Sequence, residues 1–438
     1  MLRKSLTLAL GLAVFGTANA QNTWSLKQCI DYAIEHNISI KQQENTVESN
    51  RIALNTSQSS RLPSLSASAS QSMNFGRGLT ADNTYANRNT MSTGFDMSSN
   101  IPLYTGGQIS HDIKMRQINL QAALTDLEKA KEDISLQVAS TYLEVLYQKE
   151  MLEVSKQQLE LAKAQEARLK ALFENGKTAE SNVIEAHATV AGDELAVTQG
   201  QNSVQLALLN LSQLLELDSP EGLDVEEPKT LKPLDTLLPL PDEIFAEANG
   251  IKPQIQAQIL RVKSAEEGIS QAKAGKLPSV YLSGGLGTNF YRTSGFKTTA
   301  FTTQLKDNFS KYLGLSVSIP IFNRYATRNQ IKNAKLQHTA QQLQLDLTRK
   351  NLYKEIQQAY YNAVAAQKQC VSSEAAQHAS QSAFELTSKK YENGKATVTE
   401  FQEMKTRLQK AEADYLQAKY TFLFRTKILD FYRGITFS

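Results

Sequence analysis

The chain has 438 residues, with 47 Lys and Arg against 44 Asp and Glu, a formal net charge of +3, and 41% hydrophobic and 8% aromatic residues. The near-neutral balance leaves no basic footprint for nucleic acid, which needs clustered positive charge to displace phosphate counterions. So moderate an apolar content in so long a chain argues against a single compact core.

The first element is a leader. Arg3 and Lys4 precede an apolar run from Leu6 to Phe15, and the stretch ends in Ala18-Asn19-Ala20, the pattern of a secretory signal peptide over residues 1–20. That run is too short to span a bilayer as a helix, and no later stretch is long, uncharged and apolar. Entry into a membrane therefore has to be by strands. Cys29 and Cys370 are the two cysteines; they read as isolated core residues and not as a disulfide, and neither follows the cleavage site, so no lipid-anchored N-terminus is indicated.

After the leader comes one helix, and after Pro63 a low-charge segment of alternating character. Leu65, Ala67, Ala69, Met73 and Phe75 alternate with serines and Asn74, and Met91, Thr93, Phe95, Met97 and Ile101 alternate with Ser92, Gly94, Asp96, Ser98 and Asn100. Period-two segments of about ten residues suit tilted membrane strands. The polar stretch from Gly76 to Thr90 reads as the loop between them, and Pro102 as the end of the second strand.

From Gly106 to Phe173 there is no proline, and Ala, Leu, Lys, Glu and Gln dominate, so one continuous helix of roughly 100 Å is expected. Ile113, Leu120, Leu127 and Ile134 recur every seven residues, as do Val138, Val145, Leu152 and Leu159, which calls for a left-handed supercoil with a partner. Asn175-Gly176 ends the helix, since glycine takes the left-handed conformation there. A second helix follows with Val183, Val190, Val197, Val204 and Leu211.

The chain is then written again. Tyr391-Glu392-Asn393-Gly394-Lys395 repeats Phe173-Glu174-Asn175-Gly176-Lys177 at an offset of 218 (391 against 173), and Ile319-Pro320-Ile321-Phe322 repeats Ile101-Pro102-Leu103-Tyr104 at the same offset. Upstream, Lys276-Leu277-Pro278-Ser279 repeats Arg61-Leu62-Pro63-Ser64 at an offset of 215 (276 against 61), the difference falling in a loop. Val280 to Leu286 and Leu313 to Ile319 are the second pair of strands, separated by a loop from Tyr291 to Ser310 with a cluster of aromatics. Five of the ten prolines fall between Asp218 and Asp242, so the domain reading is a first repeat over 21–219, a proline-rich linker over 220–240 and a second repeat over 241–438.

Four strands cannot close a barrel, and an open edge in lipid leaves backbone groups without partners. The strands therefore predict obligatory assembly with further copies of the chain. No enzyme is expected: His36, His111, His187, His338 and His378 never pair at ligand spacing, no phosphate-binding glycine loop occurs, and no serine or cysteine sits in a nucleophile context. No cofactor, no metal and no catalytic residue is assigned.

The Ile-Pro-Leu-Tyr-Thr-Gly-Gly stretch at Ile101 to Gly107, its copy at Ile319, and the two Asn-Gly turns followed by aliphatic heptads resemble the TolC family of outer-membrane efflux proteins over essentially the whole mature chain. The resemblance implies a mostly α protein with a membrane β-barrel. In it a homotrimer pools four strands per chain into one 12-stranded barrel, and the coiled-coil helices form an α-barrel tunnel in the periplasm with an equatorial belt. It implies a channel that completes a tripartite export system, with a periplasmic adaptor, an inner-membrane transporter and outer-membrane lipid as partners.

The adaptor-docking tips carried over are Asn175, Gly176, Lys177, Asn393, Gly394 and Lys395. The periplasmic gate carried over is Glu400 and Glu403, with Asn182 and Glu185 as their first-repeat counterparts; an arginine that latches the tip in some members is Ala396 here, so that latch is not carried over. A ring of acidic residues selects for cations; the competing reading of Glu400 and Glu403 is a solvated coiled-coil face. Two rival functions remain at this level: the channel of a type I protein-secretion system, and a periplasmic coiled-coil tether without a pore.

Overall fold

A computed structural model describes residues 22–79, 83–226 and 237–435. The signal-peptide stretch and the middle of the proline-rich linker, 227–236, lie outside the described residues. A short strand β1 (Asn22–Trp24) leads into helix α1 (Leu26–His36), where the Ser25 N–H donates to the Gln28 side chain and Gln28 N–H donates to the Ser25 hydroxyl, closing a capping box. Helix α2 (Ile38–Ser59) follows. The single helix expected before the strands is thus two helices, broken at Asn37. The Asn37 side chain donates to the Leu214 carbonyl and accepts from Ser39 N–H, competing with the helical backbone.

The strand region holds β2 (Ser64–Asn74), a small hairpin β3 (Arg77–Leu79) and β4 (Tyr85–Asn87), and β5 (Thr90–Tyr104). Then come α3 (Gln108–Glu174), α4 (Glu180–Leu214), β6 (Leu223–Val225), α5 (Pro241–Ile251) and α6 (Pro253–Ala274). The break between the last two is at Lys252, 215 residues after Asn37, where the following proline disfavours helical backbone. The chain finishes with β7 (Ser279–Thr293), α7 (Phe301–Asp307), β8 (Ser310–Ser318), α8 (Ala326–Glu392) and α9 (Val398–Tyr432). α3 and α8 are each 67 residues, α4 and α9 each 35, and every boundary is displaced by 218.

β2, β5, β7 and β8 form one antiparallel sheet in that order. Its register lines up the alternation across strands: rows such as Ala67-Met97-Leu286 and Ile101-Leu282-Leu315 lie between rows such as Ser68-Asp96-Gly287 and Asn100-Ser283-Gly314. One face is therefore largely apolar, the other a carpet of Ser, Gly and Asn. The outer edges of β2 and β8 have no partner among the described residues.

Two expectations for this region are corrected. Pro102 does not end its strand, since β5 runs on to Tyr104; the register shifts between Pro102 and Tyr104, and an irregularity of that kind accommodates a residue without an N–H. Nor are the connections bare loops: β3 and β4 pair in the first, and in the second α7 rests on β7 with Phe301 against Phe290 at 5.1 Å.

The described residues pack as two compact units, one from those up to Ile40, those within Lys131–Ala248 and those from Glu355 on, the other from those within Lys41–Ala130 and Asn249–Lys354. Each takes pieces of both sequence halves, so neither half is a unit by itself. In the first unit the heptad residues form the core: Val138, Val145 and Leu211 are fully buried, and Phe401, Leu408, Phe422 and Leu429 nearly so. Tyr142, buried among them, sets its hydroxyl 3.0 Å from the Trp24 carbonyl and 2.5 Å from that of Glu226, pinning the parallel pair β1–β6. Cys29 and Cys370 are buried and free, as expected, and burial pushes the Cys29 thiol up to about 12. In the second unit Ile113 and Leu127 are buried, and α3 is tied to α6 by Asp126–Arg261, Asp112–Gln271 and Asn119–Ser264.

Gly106 explains why the motif after Ile101 ends in two glycines. Both have positive φ, +64 for Gly106 and +88 for Gly107, but a Cβ on Gly106 would stand 2.7 Å from Leu277 Cβ and 2.8 Å from the Ala274 carbonyl, whereas on Gly107 its nearest neighbour is the His111 ring at 3.6 Å. Gly107→Ala is expected to cost about 1 kcal/mol of backbone strain, and Gly106→Ala about 3 kcal/mol, because overlap with a carbonyl cannot be relieved by a rotamer change. Comparing denaturant midpoints of the two variants checks this; equal losses would show that the α6 contact is not tight.

Candidate functional site at the two helical turns

The turns that end α3 and α8 are built identically. Gly176 (φ 72) and Gly394 (φ 69) take the left-handed conformation. Gly176 N–H donates to the Phe173 carbonyl and Lys177 N–H to that of Leu172, while Gly394 donates to Tyr391 and Lys395 to Lys390, the paired bonds of a Schellman cap. Asn175 and Asn393 each donate from Nδ2 to the carbonyl four residues back, at 2.7 Å. The six tip residues are exposed, except that their neighbour Tyr391 is half-buried.

The starts of α4 and α9 differ. At α9, Thr397 is the N-cap: its N–H and hydroxyl donate to Glu400 Oε2 at 2.7 and 3.0 Å, and Glu400 N–H donates to the Thr397 hydroxyl. These bonds, the backbone one first, hold the Glu400 carboxyl below its usual range. At α4 the N-cap is Ala179 with no side-chain bond, and Asn182, which stands where Glu400 does in the copy, donates to the Thr178 hydroxyl at 2.9 Å. Glu185 and Glu403 are exposed, one turn further on.

Asn182 lines a cavity of about 20 Å³ with Tyr391, Phe401 and Lys405, room for a water and not for an organic substrate. Burial raises the Tyr391 phenol, with Glu185 adding to the rise and Arg168 opposing it. The Arg168 guanidinium lies over the Tyr391 ring and donates to the Glu392 carbonyl at 2.8 Å. Among the described residues no group of three His, Cys, Asp or Glu could hold a metal.

Above the turns α9 carries a second stripe of heptad spacing, four residues after each apolar position. Lys405 pairs with Asp193 of α4 at 2.6 Å, Glu412 accepts from Gln158 of α3 at 3.4 Å, and Lys419 reaches Glu150 of α3 at 2.9 Å. Lys405 is only 3% exposed. Following only the apolar stripe misses this ladder, although Lys405, Glu412 and Lys419 are visibly seven apart. The capping box, too, is legible as Thr-x-x-Glu before a heptad run.

A model of the outer membrane efflux protein family matches residues 29–216 and 246–426. The chain belongs to that family. This efflux-family protein is 24% identical over 436 residues to the outer membrane protein TolC of Salmonella enteritidis, covering 96% of this chain and 84% of that one. Its fold is similar to the CmeC outer membrane channel of Campylobacter jejuni (TM-score 0.76, 19% identity, 94% of this chain and 86% of that one). It is also similar to the outer membrane protein VceC of Vibrio cholerae (TM-score 0.73, 19% identity, 93% and 96%). The resemblance carried by the Ile101 motif and the twin turns is thereby borne out, and so is the fold class of helical tunnel and membrane β-barrel. The protein is an outer-membrane efflux channel whose helices project into the periplasm.

Two outcomes follow from the turn geometry. A depressed folded pKa at Glu400 means the cap is fully formed above the ordinary glutamate pKa of about 4.3 and is lost as pH falls through the lower folded value. Amide exchange at the start of α9 should therefore accelerate on acidification through that window, and in Glu400→Gln this pH dependence should vanish. Lys405→Ala, which strands Asp193, is expected to cost about 3 kcal/mol, while Lys405→Met with Asp193→Leu recovers most of it; a double variant as unstable as the single would refute a buried pair.

Proposed function

We propose that this efflux channel works as a homotrimer in which three copies of the four-stranded sheet close a 12-stranded barrel. The observation that carries this reading is the sheet itself, apolar on one face, hydroxyl- and glycine-rich on the other, and open at both edges among the described residues. Lipid accepts the first face and water the second, and only further copies can satisfy the edges. The two sequence halves act as tandem repeats joined by the proline-rich linker, and the protein is a conduit without catalytic activity.

The exposed turns at Asn175-Gly176-Lys177 and Asn393-Gly394-Lys395 are where a periplasmic adaptor docks, linking the channel to an inner-membrane transporter. They suit this role because each is a cap held by two backbone bonds and by its asparagine side chain, with the turn residues exposed. Glu400 and Glu403, with Asn182 and Glu185, line the periplasmic gate. Glu403 supplies the more available charge, since the Glu400 carboxylate already accepts two bonds from Thr397.

Reconstituted in a planar bilayer, the protein is expected to conduct, with block by multivalent cations that weakens in the Glu400→Ala, Glu403→Ala variant. Block of unchanged strength would remove the gate role from both residues. A silent bilayer at all voltages would count against the pore.

A further inference from the structure

The junction between β8 and α8 carries a surface that neither the helical turns nor the sheet accounts for. Between Asp307 and Asp346 the chain has no acidic residue, yet it holds Lys311, Arg324, Arg328, Lys332 and Lys335. Arg324 stands two residues before α8, and Arg328, Lys332 and Lys335, spaced by four and then three, share one face of its first turns. These last four are exposed, and none of them makes an ion pair among the described residues. Like charges at such spacing repel one another, and an anion from outside the chain relieves that repulsion.

Apolar side chains stand among these cations. Ile321, Phe322 and Tyr325 are 95%, 71% and 59% exposed. Tyr325 meets the Phe322 ring edge-on at 5.5 Å, and the Arg328 guanidinium lies 5.8 Å from the centre of the Tyr325 ring. Because the helices project into the periplasm, this junction is the periplasmic end of the membrane sheet, at the depth of the headgroups of the inner leaflet. Exposed aromatics beside cations suit that depth, where hydrocarbon gives way to phosphate. Free phosphate would engage the cations alone.

The same turn 218 residues earlier is built differently. Gly106 and Gly107, with φ of 64 and 88, give way to Arg324 and Tyr325, which keep the left-handed backbone at φ 54 and 63. Residues with a side chain carry strain there that glycine does not. Asn323 Nδ2 donates to the Thr327 hydroxyl at 2.5 Å and holds the shape. Arg328 stands where Ser110 accepts from Arg61 at 3.2 Å, and Lys332 stands where Lys114 pairs with Glu267 at 3.5 Å. The first junction bonds its cations inside the chain on an unstrained turn; the second leaves them open on a strained one.

We propose that the β8–α8 junction binds the phosphate of an anionic phospholipid, with Arg324, Arg328 and Lys332 around the headgroup and Ile321, Phe322 and Tyr325 at the acyl boundary. Arginine offers paired donors to two phosphate oxygens. With no internal carboxylate paired to these cations, a headgroup of net negative charge is held more tightly than a zwitterionic one. The inference rests on the sheet being the membrane part of the channel, and adds which lipid chemistry its second junction selects.

The test titrates the full-length channel in detergent with phosphatidylglycerol, phosphatidylethanolamine and inorganic phosphate, and follows each by native mass. Phosphatidylglycerol should bind about tenfold more tightly than phosphatidylethanolamine, and excess inorganic phosphate should not displace it. Arg324→Gly with Arg328→Ser, which installs the residues of the first junction, should abolish the preference, whereas Lys114→Gln should preserve it. Arg324→Gly alone should raise the unfolding midpoint in lipid-free detergent, the opposite of what loss of a purely structural side chain does. Equal binding of the two lipids by the unaltered chain, or a preference that survives the double substitution, would overturn the headgroup site. Displacement by inorganic phosphate would overturn its assignment to lipid, and a fall to the monomer mass on double substitution would overturn it in favour of a contact between copies. Failure of the unaltered protein to enter lipid vesicles would instead overturn the membrane reading on which the site rests.

Discussion

A strand edge in hydrocarbon exposes peptide N–H and C=O groups that nothing there can solvate, at a cost of several kcal/mol each. β2 and β8 present two such edges on one apolar-faced sheet, so the membrane part of this protein is incomplete as a single chain. Everything else is arranged around that incompleteness. The helices that continue from β5 and β8 cannot be an independent bundle, because in the proposed ring their positions are dictated by strands that must register with those of another copy.

Inside the helical part, two kinds of contact have separate jobs. The apolar heptads, from Val138 to Leu159 on α3 and from Phe401 to Leu429 on α9, supply most of the burial and set the supercoil. The polar ladder of Lys405, Glu412 and Lys419 adds little net energy, since desolvation offsets much of each pair's attraction. What it adds is register: a slip of one heptad on α9 would set Lys405 where Glu412 meets Gln158 and remove its match with Asp193. Specificity of register, more than strength, is what the ladder supplies.

The long elements were legible because their signals are periodic and reinforced by copying. Sixty-seven residues without proline and with apolar residues every seven admit few other structures, and the strand alternation, weak in each segment, gained force from its repetition. The breaks at Asn37 and Lys252 were not read, the first because its cause is a bond to a carbonyl 177 residues away. The sequence alone ends the strand at Pro102, because proline usually ends a ladder, whereas here a register shift absorbs it. At the turns, glycine conformation followed directly from sequence, while the commitment of Glu400 to the Thr397 cap depended on weighing a local motif against a charge that also suits a gate.

The equal lengths of the paired helices carry an evolutionary constraint. Seven residues added to α3 alone would lengthen it by about 10.5 Å, and its turn would overshoot that of α8 while every knob on α4 lost its hole. Four helices that share one tip can lengthen only together, and only by whole heptads. Distance between the two cell membranes, which such a conduit has to bridge, is therefore matched in coarse increments written four times into the gene, or else by the proteins that meet it from the other side.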